Sequence, residues 1–264
     1  MTEYYFLASL LPPLEIGHRP ELGFSDLKEL LSMNLTQEDQ GQVHRFLRLI
    51  DIENFRSYWA GETLDPRGNL NQEEIERALV NMQWSFEEDF PYFLQDYLTK
   101  YHTNEEKLRY FSFLLSQFFE LNIKNEVGFL KEYYLFLKDL SLVIVGFRAK
   151  ILGRNLAFEL QYEDISNPIV SEILAQKDAK TYEPPFDYKE LKSIFDNNKN
   201  SPESLHKMLM EYQCNKIIEF WGGAVFNLDR ILNYMARLIL VERWLELDVQ
   251  NGIEIIDTIE REIE

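Results

Sequence analysis

Between Asn125 and Arg154, apolar residues recur every three or four positions: Phe129, Tyr133, Phe136, Leu137, Leu140, Val143, Ile144, Phe147 and Ile151. Only a helix of 3.6 residues per turn gathers such a set on one face. A chain organised around so long an apolar stripe must cover it, and the other segments carry the same period. Glycine is scarce, 11 in 264 residues, against a usual share of ~7%. Few tight turns follow, and no segment of four to eight residues alternates cleanly between apolar and polar. The expectation is an all-α fold in a single domain, 1–264, with a possible subdomain boundary near 178–187. A short N-terminal strand is an open alternative for Glu3–Leu14, which stops at Pro12-Pro13.

Start and stop signals divide the chain further. Ser25 reads as an N-cap for a helix to about Met33. Thr36 with Asp39 opens a helix to about Tyr58. Asn71 with Glu74 is a capping-box-like start for a helix to about Met82. Pro91 suits a first helical position before a helix to about Lys100. Thr103 with Glu106 opens a helix to about Leu121. Asn167-Pro168 and Ser201-Pro202 each set a cap before an N1 proline. Asn227 caps a long helix to about Asp248, in which Leu238–Val241 is apolar all round and implies burial on more than one side. Asn251-Gly252 reads as its stop, before a last amphipathic helix carrying Ile253, Ile256, Ile259 and Ile263.

Composition narrows the function classes. Acids outnumber bases 45 to 27, for a formal charge of −18 and a pI near 4.7. Such a chain is repelled by phosphate backbones and anionic lipid, so neither nucleic acid nor a membrane surface is an expected partner. Apolar residues make up 45% of the chain, which excludes disorder. No secretory signal is expected, and the longest uncharged apolar stretch, Leu140–Phe147, is far shorter than the roughly 18 residues of a membrane span. Cys214 is the single cysteine, so no internal disulfide or thiolate cage can form, and a cytoplasmic location fits.

Catalytic chemistry finds little purchase. Glu15-x-x-His18 and Glu203-x-x-His206 share the spacing of di-iron carboxylate helices, but Glu15–His18 lies between Pro13 and Pro20. Asp65–Glu76 has the length of a calcium loop, yet Arg67 and Leu70 stand where a ligand and a glycine are needed. Gly222-Gly223 lacks the rest of any phosphate loop. No catalytic residue, cofactor or metal ligand is therefore assigned, and no enzyme is expected.

What remains is charge on two long apolar helices. Asp139, Arg148 and Lys150 lie on the first, and Arg230, Arg237, Glu242 and Arg243 on the second. These are the candidate interaction or inter-helix ion-pair residues, set against a plain solvated face. Arg148→Ala or Arg243→Ala is expected to destabilise the fold or weaken partner binding, with no catalytic phenotype.

Glu132–Gly153 (EYYLFLKDLSLVIVGFRAKILG) resembles the repeated helix of the C-type subunit of V/A-type ATPases, known as d-type in eukaryotes. In that family an acid, an aliphatic run and a following Arg-x-Lys recur along a helix, here Asp139, Arg148 and Lys150. This chain carries Leu142 where the family usually has Asn. Tyr4–Leu14, Gly146–Asn155 and Phe226–Gly252 more closely resemble a bacterial family of that C-type kind, encoded among V-type ATPase subunits in chlamydiae and Bacteroidetes. The resemblance implies two or three related helical subdomains around a concavity. It further implies a non-catalytic socket between the central stalk and the membrane rotor ring, with those ATPase subunits as partners and a cytoplasmic, peripheral position. Apart from the resemblance, the residues also fit an all-α adaptor or regulatory protein unrelated to the ATPase.

Overall fold

The structure, a computed structural model, describes residues 3–81, 92–220 and 225–263, with side chains at 3–79, 92–220 and 225–247. It is all-α, and no strand occurs among the described residues. The first helices are α1 (Tyr5–Leu10), α2 (Phe24–Asn34), α3 (Gln37–Ala60), α4 (Gln72–Asn81) and α5 (Tyr92–Lys100). Then come α6 (Asn104–Arg109), α7 (Phe111–Asn125), α8 (Gly128–Leu152), α9 (Leu156–Glu159) and α10 (Pro168–Ala175). A 3₁₀ turn at Phe186–Tyr188 precedes α11 (Glu190–Asn197), α12 (Pro202–Glu219) and α13 (Leu228–Ile263).

Two compact units are present: residues 1–39 with 189–264, and residues 40–188. In the first, α1, α2 and α12 pack against α13, and α11 packs against α12. Ile16, Met210 and Val241 form a small core there, joined by Cys214 and Trp244. The N-terminal segment is a helix rather than a strand. Pro12 cannot extend it, and the preceding Leu11 is already extended at φ −80° and ψ 105°.

In the second unit α8 is the central element. The α7–α8 hairpin buries one side of it, and α9 and α10 cover another. Phe129, Leu140, Val143 and Phe147 of the predicted stripe are buried, and so are Leu130, Tyr134 and Leu142 outside it. Tyr134 is fully buried and donates its hydroxyl to the Arg45 carbonyl at 2.7 Å. Neighbouring rings link Trp59, Tyr97, Tyr101, Tyr110 and Tyr162 at centroid distances of 4.5–6.4 Å. This row absorbs many of the aromatics. Helix α8 ends where Gly153 turns left-handed at φ 64° and Arg154 N–H reaches back to the Ala149 carbonyl at 2.8 Å.

Several expected boundaries shift. Ser25 does not cap α2, because the helix begins at Phe24 with Gly23 in the cap position. The Glu242 carboxylate accepts the Phe24 N–H instead, at 2.7 Å. The helix opened by Thr103 breaks at Tyr110, whose ring stacks on Tyr101 at 4.5 Å. The Asn251-Gly252 stop is overridden, and α13 runs on to Ile263. A mid-helix glycine costs only about 1 kcal/mol. The Pro91 and Gly222-Gly223 readings fall outside the described residues.

Candidate functional site

A turn in the second unit shows how far local polar chemistry goes into building the scaffold. Asp51, buried on α3, accepts the backbone N–H groups of Asn69 at 2.7 Å and Leu70 at 3.0 Å. Asn54 exchanges two further hydrogen bonds with the backbone of Asp65. A side chain at Gly68 would run into the Asp51 carboxylate. Arg67 is buried against Asp65 at 2.7 Å. The calcium-loop length of Asp65–Glu76 is thus spent on a turn clamped to α3.

The predicted charged residues divide between the units. On α8, Asp139 is half-buried and its carboxyl is pushed up to about 6, because burial disfavours its charge more than Lys138 and the Tyr188 hydroxyl favour it. Lys150 donates to the carbonyls of Lys177 and Ala179, both at 2.7 Å, and so closes the turn that follows α10. Arg148 is exposed and pairs with no carboxylate among the described residues. Its contribution is therefore to a surface rather than to the fold. Beside Asp139, Lys138 is buried between Glu163 at 3.5 Å and Glu120 at 3.8 Å. No sequence signal marks this cluster, because Lys138 lies outside the apolar stripe and is buried only by the second packing face of α8.

On α13, Glu242 caps α2 as described, an acid at the positive end of a helix dipole. Arg243 is half-buried on the same helix. Arg230 and Arg237 both line a cavity of about 210 Å³ between α13, Ile218 of α12 and the Leu11–Pro13 segment. Asn233 and Tyr234 line it too. These four polar residues sit at i, i+3, i+4 and i+7 of α13, the spacing that puts them on one face. That pattern is legible in the sequence, although it does not show which neighbour closes the site.

The groups considered for catalysis stay apart. His18 and Glu15 form an exposed pair at 3.5 Å. Among the described residues, no three His, Cys, Asp or Glu side chains converge as metal ligands. Burial raises the Cys214 thiol to about 11, which keeps it protonated near neutral pH. Among the described residues no helix is long and apolar enough to cross a membrane.

Two exposed apolar areas stand out. In the first unit, Tyr5 (56% exposed), Phe6 (60%) and Leu10 (42%) project from α1. The Phe226 ring lies 4.4 Å from that of Tyr5. In the second unit, Ile151, Leu152 and Phe158 are exposed where α8 gives way to α9.

The chain is similar to a protein from Chlamydia pneumoniae, 35% identical over 264 residues, covering 100% of this chain and 99% of the relative. Proteins from Chlamydia muridarum and Chlamydia trachomatis serovar D are 34% and 33% identical over the same span and coverage. All three are described as uncharacterized proteins. No solved structure matches the chain. One family matches residues 1–263, and the chain belongs to it: the family described as protein of unknown function (DUF2764).

Proposed function

We propose that the protein is a non-catalytic subunit of a V/A-type rotary ATPase, a socket that couples the central stalk to the membrane rotor ring. One observation carries this reading. Two of the stretches that resemble the ATPase-associated family, Tyr4–Leu14 and Phe226–Gly252, meet in a single packed body. Tyr4 N–H donates to the Phe226 carbonyl at 2.6 Å, and the Tyr4 hydroxyl donates to Asp39. The same two stretches leave Tyr5, Phe6 and Leu10 in solvent. Large apolar side chains exposed together mark a protein-binding surface. The relatives are chlamydial, as are bearers of the family it resembles. With a net charge of −18, the chain favours a basic partner surface in encounter.

The test is affinity purification of the tagged protein from its own host, with mass spectrometry of the co-purifying chains. The expected result is recovery of catalytic, stalk and ring subunits together. Recovery of none of them, under conditions where another tagged ATPase subunit retrieves the intact complex, overturns the reading.

A further inference from the structure

The cavity against α13 is walled by an arginine that no carboxylate pairs with among the described residues. Arg237 is half-buried there, and its Nε donates to Asn233 Oδ1 at 3.1 Å. Asn233, itself buried, anchors its amide on the Ile217 carbonyl. The guanidinium is thus aimed by a fixed partner that carries no charge. Glu242 is on the same helix, but its carboxylate is engaged by the Phe24 N–H. Arg230 lines the same cavity and adds a like charge. Burial and Arg230 both disfavour the charged state of Arg237, a state that a guanidinium nevertheless keeps in proteins.

Tyr234 supplies the second, independent observation. It lines the cavity, is only 2% exposed, and its hydroxyl finds no hydrogen-bond partner among the described residues. Buried hydroxyls are nearly always satisfied, and an orphan beside an arginine that no described carboxylate pairs with wants an acceptor that bears negative charge. The rest of the lining is apolar: Leu11, Pro12, Pro13 and Ile218. A volume of about 210 Å³ is below the range of drug-sized ligand pockets. It matches a small acid with a short apolar stem better than a nucleotide or a sugar phosphate.

We propose that this cavity is a receptor for a carboxylate on a short apolar stem. Arg237 grips the carboxylate, Tyr234 donates its hydroxyl to it, and the Leu11–Pro13 segment packs on the stem. Two sources present this chemistry: a free small acid, and the C-terminal carboxylate of a partner chain that ends in an apolar residue. The proposal does not depend on the ATPase reading, because neither source presupposes a rotary complex.

Calorimetric titration of the full chain tests it. The probes are butyrate, butyramide, and an acetylated Ala-Leu-Val tripeptide as free acid and as amide. The expected result is saturable binding of at least one acid, with the matching amide bound at least about tenfold more weakly. Arg237→Gln should weaken acid binding by about tenfold or more. Tyr234→Phe should weaken it about three- to tenfold while melting no lower than the parent, because it removes a hydroxyl with no partner in the fold. That second variant keeps the test decisive even if Arg237→Gln fails to fold. A tripeptide acid bound more than tenfold tighter than butyrate identifies a partner's C-terminus as the source. Butyrate bound comparably or tighter identifies a free acid. Saturable binding of neither acid, amides bound as well as acids, or acid binding unchanged in Tyr234→Phe overturns the proposal.

Discussion

Asp139 carries a cost that the fold does not require. Its carboxyl is raised to about 6 by burial, against about 3.9 in a free chain. The folded state therefore holds the proton more tightly than the unfolded state between about pH 4 and pH 6. Stability from this group is present in full below about pH 4 and is lost as pH rises through 6. A shift of about two units corresponds to about 3 kcal/mol, and the solvent-facing side of the half-buried carboxyl reduces that to about 1 kcal/mol. Asp139→Asn keeps the shape and an acceptor for the Tyr188 hydroxyl. The variant is expected to be about 1 kcal/mol more stable than the parent at pH 7.5 and equal to it near pH 4, by urea denaturation at both pH values. A variant less stable at pH 7.5 would mean that the ionised carboxylate, bonded to Tyr188 and near Lys138, is what the fold wants. A gain on neutralisation would instead mean that the fold tolerates this charge rather than needing it.

At the scale of elements, the turn after α3 shows what one buried acid holds. Asp51 Oδ1 accepts two backbone N–H groups, from Asn69 and Leu70. Asp51→Ala would leave both donors without that acceptor, at about 1–3 kcal/mol each. With water reaching one of them, the expected loss is about 2–4 kcal/mol in chemical denaturation; a loss below 1 kcal/mol would mean that the turn is not clamped through Asp51. The sequence offered no hint of this clamp, because Asp51 reads as one more charge on an amphipathic helix. Local signals fared better. The Asn71–Glu74 and Thr103–Glu106 capping boxes form as read, each with its pair of reciprocal bonds. Asn167, Ser201 and Asn227 accept the expected backbone N–H groups. The misreadings arise where distant chain decides. Glu242 caps α2 from 218 residues away, and a ring stack selects the break at Tyr110. Periodicity marks which face of a helix is apolar. It does not mark which polar side chains, such as Lys138 or Tyr234, a second packing face will bury.

On the scale of the whole molecule, the acidic balance and the exposed apolar residues make opposite demands on a partner. A net charge of −18 draws a basic surface from a distance, but salt screens that attraction to a few Å by about 0.5 M. Apolar contact is not screened, and a fully buried Phe contributes roughly 1.5–3 kcal/mol. If α1 is the docking element, charge governs the rate of encounter while Phe6 and its neighbours govern how long the complex lasts. Phe6 is 60% exposed, so Phe6→Ser removes little from the folded chain and its melting temperature should stay within a few degrees of the parent. Retention of partner chains on the tagged protein should survive washing at about 0.5 M salt for the parent and fall at least about tenfold for Phe6→Ser at low and high salt alike. A complex lost from the parent at about 0.5 M salt, and held by Phe6→Ser at low salt, would move the docking surface from α1 to the acidic faces.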